Sequence, residues 1–132
     1  MNVFLDTSVL VAGLIDFGPQ SSPAHSLLHA VAEKTAGPAS TAWHCCLEFY
    51  SVGTRLPPEF RLTPADAARL VEEEIIGRMA VFDLPGAARG AFLAAGATVI
   101  VTDNRRHFLG ALRHGIRVET PSEFLSGMKK KR

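Results

Sequence analysis

The stretch that decides the fold is NVFLDTS, residues 2–8, in which an apolar run ends on a carboxylate followed by two hydroxyls. Residues 2–5 predict a short strand buried inside a sheet. Asp6 comes next, and a carboxylate is costly to bury unless another group pairs with it. We therefore expect Asp6 to lie where the hydrophobic core stops, at the edge of that sheet.

The composition around this stretch fits a single globular domain. The chain has 132 residues, of which 47% are hydrophobic and 20% charged, enough to bury a proper core. We expect the domain to span residues 1–128 and the basic tail KKKR, residues 129–132, to be disordered. The net charge is only +1 and the pI is near 7.9, so contacts with phosphates must be local or work through metal ions.

No membrane-spanning or targeting segment is expected. The apolar run SVLVAGLI, residues 8–15, is too short to cross a bilayer, and the first residues lack the basic start of a secretory signal. Cys45 and Cys46 are adjacent, and neighbouring cysteines rarely bond to each other because the geometry is strained. They are typical of small core residues in a reducing compartment, so the expected location is cytoplasmic.

Apolar periodicity and turn residues divide the chain into alternating strands and helices. Strands are predicted at residues 2–5, 39–43, 78–84, 98–102 and 116–120. Helices are predicted at residues 7–15, 23–35, 43–55, 62–76, 85–97 and 121–128. Thr7 or Ser8 can cap the first helix, and Thr63 caps the fourth. This alternation predicts an α/β fold with a central parallel sheet and helices on both faces.

Acidic side chains follow several of the predicted strands. Asp6 and Asp103 each come directly after an apolar strand, and Asp83 lies near the end of another. Because ligands of parallel sheets bind at the carboxyl ends of the strands, we expect these acids at one edge. Glu48 lies on the helix 43–55 among small or apolar neighbours, so we expect it to point inward or toward a cleft.

These acids have two interpretations. Grouped carboxylates either share protons or hold a cation, and oxygen-rich clusters suit Mg²⁺ or Mn²⁺. An ion held in this way can activate water and stabilise charge on a phosphoryl oxygen. The alternative is that Asp6 and Asp103 are helix N-caps, which is common for Asp after a strand. Spacing alone leaves both open, and Glu48 favours the metal site.

Segments spread along the chain resemble one protein family. They are NVFLDTSVLVAGL at residues 2–14, LEFYSVGTR at 47–55, GATVIVTDNRRHF at 96–108 and VETPSEFL at 118–125. In this order they resemble PIN-domain proteins, and in particular the VapC-like toxins of bacterial toxin–antitoxin pairs. The resemblance implies a PIN-like three-layer α/β/α fold and the activity of a metal-dependent endoribonuclease.

The resemblance also implies roles for individual residues and partners. Asp6, Glu48 and Asp103 would be the catalytic acids. The acids that hold one or two Mg²⁺ or Mn²⁺ ions would be these three, with Asp83 as a further candidate. Side chains that orient this shell would be Thr7, Ser8, Thr102 and Asn104, the last of which competes with Asp103 for the final ligand position. Implied partners are an RNA substrate, a cognate antitoxin and a second copy in a homodimer.

The chain departs from the PIN pattern in one place. The family has a further acid near the start of the helix that precedes residue 96, and no acid stands there, near Pro85. Residues 84–97 are also barely enough for a parallel crossover, so the fold is expected to be shortened in this segment. Either Asp83 takes the vacant role or the metal site is incomplete.

Two surface features predict contacts with partners. Arg105 and Arg106 adjoin the proposed acidic edge, where they could bind RNA phosphates, the alternative being an ordinary solvated loop. The helices at residues 8–15 and 62–76 carry more apolar surface than a small domain readily covers, which predicts an interface.

Two other functions are consistent with parts of the sequence. The missing acid motivates a degenerate PIN scaffold that binds an antitoxin or RNA without cleaving it. A phosphotransferase of the haloacid-dehalogenase type would use an Asp after a strand as its nucleophile. That family has a second Asp two residues later, and this position is Ser8 here.

Overall fold

The fold is built on a five-stranded sheet. The structure is a computed structural model that describes residues 3–82, 98–106, 108, 112 and 115–130. The strands are β1 (Val3–Leu5), β2 (Ala39–Ala42), β3 (Ala80–Phe82), β4 (Val99–Val101) and β5 (Arg117–Glu119). All neighbouring strands are parallel, in the order β3-β2-β1-β4-β5. The predicted α/β class with a central parallel sheet is confirmed.

The two central strands are the most deeply buried. No residue of β1 or β4 is more than 4% exposed, whereas the edge strands β3 and β5 each contain an exposed residue. A parallel strand that is covered on both faces has a continuous apolar sequence, which is why VFL and VIV predict strands so clearly. This burial is compatible with a three-layer α/β/α arrangement.

Five α-helices are present in the described part of the chain. They are α1 (Thr7–Leu14), α2 (Ser22–Ala32), α3 (Trp43–Gly53), α4 (Pro64–Leu70) and α5 (Pro121–Lys130). A π-helical segment, Val71–Ile76, continues α4. The predicted Thr63 cap is confirmed, because its side chain accepts a hydrogen bond from the backbone N–H of Asp66. The first two residues of the basic tail are helical, at the end of α5, and residues 131 and 132 lie outside the described residues.

The start of α1 differs from its prediction. Asp6 is the N-cap residue, whereas Thr7 and Ser8 already belong to the helix, and no side-chain capping hydrogen bond forms. The Thr7 hydroxyl donates to Oε1 of Glu48, and the Ser8 hydroxyl donates to Oδ2 of Asp6. The polar side chains of this turn therefore bind carboxylates instead of the backbone of α1.

The order of the strands creates a switch point between β1 and β4. From β1 the chain proceeds outward to β2 and β3, and it then continues in β4 and β5 on the other side of β1. The segments that follow β1 and β4 lead away in opposite directions, which leaves a crevice at the carboxyl ends of these strands. Asp6 follows β1 and Thr102 follows β4, so both lie at this crevice. Asp83 and the predicted shortening at residues 84–97 lie outside the described residues.

The exposed apolar surface lies mainly on α3. The large hydrophobic residues that remain exposed in the described part of the chain are Trp43, Leu47, Tyr50, Val52, Ile76 and Leu112. Of the two helices expected to carry excess apolar surface, α1 exposes no large hydrophobic residue, because it packs against both α2 and α3 and buries Val9 and Leu10. The second, at residues 62–76, leaves Ile76 exposed. Within the described residues, no helix has the length and apolar character that a membrane span requires.

Cys45 and Cys46 are small buried residues of α3, as predicted, and neither forms a disulfide. Burial raises the pKa of the Cys46 thiol to about 11. Both side chains belong to the hydrophobic core beneath the sheet edge. They therefore serve packing.

Candidate functional site

Two hydroxyls hold Asp6 at the crevice between β1 and β4. Its Oδ2 accepts hydrogen bonds from Ser8 Oγ at 3.1 Å and from Thr102 Oγ1 at 2.9 Å. Thr102 is fully buried, so the core fixes the position of its hydroxyl. No described residue donates a hydrogen bond to Oδ1. Asp6 thus has one restrained and one open oxygen, and its side chain does not cap α1.

Glu48 is restrained in a similar way from α1 and α3. Its Oε1 accepts a hydrogen bond from Thr7 Oγ1 at 3.0 Å and lies 2.9 Å from Nε2 of His44, one helical turn earlier on α3. The second oxygen, Oε2, has no hydrogen bond from the described residues. The Glu48 side chain is 46% exposed. Glu48 therefore links two helices while keeping one oxygen open.

Asp6 and Glu48 line the same cleft, which has a volume of about 520 Å³. They meet because α1 begins next to Asp6 and α3 packs against α1. The polar residues of the cleft are Asp6, Thr7, Ser8, Glu48 and Asn104. The apolar residues are Val11, Ala12, Phe17, Val52 and Phe108. A cleft that combines carboxylates with apolar walls can bind a cation together with an organic ligand.

Of the two candidates for the last ligand position, Asn104 lines both pockets at this edge and Asp103 lines one of them. Asn104 lines the cleft that contains Asp6 and Glu48. Asp103 lines a neighbouring pocket of about 480 Å³ with Asn104, Arg105 and Arg106. Among the described residues, two acids therefore meet on the main cleft, and Asn104 contributes an amide beside them.

Hydrogen bonds fix the backbone after β4 against the site. The backbone N–H of Asp103 donates to Ser8 Oγ at 3.0 Å, and that of Asn104 donates to Thr102 Oγ1 at 2.9 Å. These two hydroxyls are the same ones that donate to Asp6. Each hydroxyl thus donates its proton to the Asp6 carboxylate and accepts a hydrogen bond from a backbone N–H. These bonds connect the segment after β1 to the segment after β4.

The carboxylates at this edge are close enough to interact. Partial burial raises the pKa of Asp103 above its ordinary value, and the negative charge of Asp6 raises it further. Both causes disfavour the ionised form of Asp103. A cation at this edge would relieve the repulsion.

Arg105 forms an ion pair with a residue of α5, the helix that follows β5. Its guanidinium lies 3.5 Å from Oε2 of Glu123, and both side chains are about half exposed. The backbone N–H of Thr120 donates to Oε1 of Glu123 at 2.8 Å, and the Glu123 N–H donates to Thr120 Oγ1 at 3.2 Å. The bond from Thr120 and then the charge of Arg105 lower the pKa of Glu123. This reciprocal cap sets the start of α5 beside the pocket of Asp103.

The donor atoms around Asp6 and Glu48 fit a hard divalent cation. The atoms of Asp6 and Glu48 that could ligate a cation are carboxylate oxygens. Mg²⁺ in proteins is usually bound by one or two carboxylates while it keeps several waters. Each carboxylate has an open oxygen. No group of three or more His, Cys, Asp and Glu side chains suited to a metal ion occurs among the described residues. The set that fits is therefore a pair of acids supported by hydroxyls.

His44 is the site contact that the sequence interpretation missed. It stands four residues before Glu48, and side chains at this spacing are neighbours on one face of a helix. The signal was present once the helix 43–55 had been predicted. Phe17 and Phe108 also line the cleft, and no sequence pattern links them to Asp6.

No protein-family model matches the chain, and no curated protein matches it. A proposal of function therefore rests on the geometry of the cleft and on the resemblance of the four sequence segments.

Proposed function

We propose that the protein is a metal-dependent endoribonuclease that hydrolyses RNA phosphodiesters, as the resemblance to VapC-like PIN domains implies. The observation that carries the proposal is the pairing of Asp6 and Glu48. These residues are far apart in the chain, yet they line one cleft at the carboxyl edge of a parallel sheet. Each has one oxygen restrained by two partners and a second oxygen to which no described residue donates a hydrogen bond.

Asp6 and Glu48 would hold Mg²⁺ or Mn²⁺, and the side-chain oxygen of Asn104 is a further oxygen donor on the cleft. When bound, such an ion polarises a phosphoryl oxygen and favours the ionisation of water. Ser8 and Thr102 keep the Asp6 carboxylate in place through their hydroxyls. Preorganised ligands of this kind lose little freedom when the cation arrives.

Two arginines would bind the substrate next to this cleft. Arg105 and Arg106 line the adjoining pocket with Asp103. Guanidinium groups suit phosphate oxygens because their N–H donors match the geometry. In this proposal they contact phosphates that flank the scissile bond, which would make binding weaker at high salt.

The test is cleavage of single-stranded RNA with Mg²⁺ or Mn²⁺, run beside a sample containing EDTA. Asp6→Asn and Glu48→Gln should each lower the cleavage rate by about a hundredfold or more. Loss of a residue that only hydrogen-bonds to a metal ligand already lowers metal affinity or activity by about ten- to hundredfold. Asp66→Asn is the matched control, because Asp66 lies on α4, does not line the cleft, and forms its ion pair with Arg69. Equal rates in all four proteins would identify a contaminating nuclease and reject the proposal.

One observation favours a second candidate, a degenerate PIN scaffold that binds RNA or an antitoxin without cleavage. Among the described residues, two acids line the main cleft, and no group of three metal-binding side chains occurs. Loss of one ligand weakens metal binding. Calorimetry with Mn²⁺ separates the two candidates, because tight binding that depends on Asp6 favours the enzyme and undetectable binding favours the scaffold.

The implied protein partners belong to the same proposal. The exposed face of α3 formed by Trp43, Leu47 and Tyr50 offers an apolar surface for a second copy or an antitoxin. Exposed apolar patches of this kind commonly mark interfaces. Sedimentation of the parent chain and of Leu47→Asp tests the homodimer, since a charge at a buried interface would dissociate it.

A further inference from the structure

Glu48 is held at one oxygen by donors from two different helices. Thr7 Oγ1 on α1 lies 3.0 Å from Oε1, and His44 Nε2 on α3 lies 2.9 Å from the same atom. A carboxylate oxygen can accept two hydrogen bonds, so Thr7 and His44 can bind Oε1 at the same time. Neither donor contacts Oε2, and no other described residue does so.

We propose that His44 is a positioning residue for Glu48. Together with Thr7, its imidazole fixes Oε1, so that Oε2 remains available to a divalent cation in the cleft. This inference rests on the proposed function, since it requires Glu48 to bind an ion. For Nε2 to donate it must carry a proton, which holds for the Nε2–H tautomer of the neutral ring and for the charged ring.

The imidazole acts through Glu48 and not on the ion directly. Glu48 lines the cleft, whereas His44 is not among the residues that do, and its side chain is 75% exposed. A glutamate side chain has several rotatable bonds, and ordering them opposes binding. Donors that hold the carboxylate before the cation arrives reduce this cost. The benefit therefore appears in cation affinity.

The stability of the fold should depend little on the contact between His44 and Glu48. Pairs between exposed side chains contribute little to stability, because water screens them and both chains must be ordered. His44 and Glu48 are both largely exposed. Loss of the imidazole should therefore leave the thermal unfolding curve and the far-ultraviolet circular dichroism unchanged, while cation binding weakens.

The experiment is calorimetric titration of the full chain with Mn²⁺. His44→Ala should weaken the Mn²⁺ affinity by about tenfold, at the lower end of the range for residues that hydrogen-bond to metal ligands. His44→Gln keeps an amide donor near the position of Nε2 and should restore most of the affinity. His29→Ala is the matched control, because His29 is an exposed residue of α2 with no bond to Glu48.

Each outcome decides the proposal. Parental affinity in His44→Ala overturns it, and so does a Gln variant that binds no better than the Ala variant. Asp6→Asn and Glu48→Gln are titrated in parallel. If these two lose Mn²⁺ binding while His44→Ala does not, only the role of His44 is rejected. If the parent chain binds no Mn²⁺, the proposed metal site fails and this inference fails with it.

Discussion

Replacing Thr102 by valine tests whether a buried hydroxyl fixes the carboxylate of Asp6. Thr102 is fully buried, and its Oγ1 donates to Asp6 Oδ2 at 2.9 Å and accepts from the N–H of Asn104 at 2.9 Å. Valine has nearly the same shape, so the change removes both bonds and leaves no cavity. A hydrogen bond to a charged group contributes about 1.5–3 kcal/mol, and an unpaired N–H costs about 1 kcal/mol more. We expect the free energy of unfolding to fall by about 3 kcal/mol.

Thr41→Val is the matched control. Thr41 is also fully buried and lies on β2, which pairs with the other side of β1. Its hydroxyl donates to a neutral acceptor, the carbonyl of Leu5, at 2.8 Å. Its loss should cost about 1 kcal/mol. Urea unfolding measures both values. Mn²⁺ titration should show a ten- to hundredfold weaker affinity for Thr102→Val and parental affinity for Thr41→Val, because only Thr102 supports a proposed ligand.

A double-mutant cycle identifies the charge as the cause. In an Asp6→Asn background the acceptor is a neutral amide, so Thr102→Val should cost about 1 kcal/mol less than in the parent chain. Equal costs for Thr102→Val and Thr41→Val, together with no coupling to Asp6, would refute the reasoning. The folded state would then gain nothing specific from the bond between Thr102 and Asp6.

Three further predictions concern the fold. Gly13→Ala should lower the free energy of unfolding in urea by about 1–3 kcal/mol, because the new Cβ would lie 2.5 Å from the Leu28 side chain of α2. Gly127→Ala should raise it by about 0.5–1 kcal/mol, because a Cβ there meets nothing within 4 Å. Equal effects of the two substitutions would contradict this packing. Glu123→Gln should lower stability at neutral pH by about 0.2–1 kcal/mol, because the side chain is 47% exposed and Gln keeps an oxygen that can accept from the N–H of Thr120. Since the folded pKa of Glu123 lies below its ordinary 4.5, this difference should disappear as the pH falls through the folded value, and a difference that persists in acid would disprove the role of its charge. Cys46, whose pKa is about 11, should react with a thiol reagent at neutral pH only after unfolding, and mass spectrometry of native protein showing rapid labelling would contradict its burial.

The sheet could be predicted because its central strands are apolar throughout. Runs such as residues 3–5 and 99–101 suit only a strand covered on both faces, and the structure buries every residue of both. The position of Asp6 followed from the cost of burying a carboxylate. The Thr63 cap was equally predictable, because capping depends on neighbours within one turn.

The choice between Asp103 and Asn104 could not be made from the sequence. Consecutive residues point in different directions, so the outcome depends on the exact path of the backbone after β4. That path is set by the hydroxyls of Ser8 and Thr102, and Ser8 lies 95 residues away from Asp103 in the chain. Likewise, the predicted excess of apolar surface on α1 was wrong because no periodicity reveals how much of a helix its neighbours cover.

The hydroxyl network makes the candidate site depend on the core of the sheet. Ser8 and Thr102 each donate to Asp6 and accept from the backbone that follows β4, so the carboxylate is fixed only when β1 and β4 are paired in register. Glu48 is attached to the same frame through Thr7, since α1 begins directly after Asp6. A site carried by paired strands is more rigid than one carried by loops. Substitutions that loosen the contact between β1 and β4 should therefore lower stability and cation affinity together, whereas surface changes such as His44→Ala should lower affinity alone.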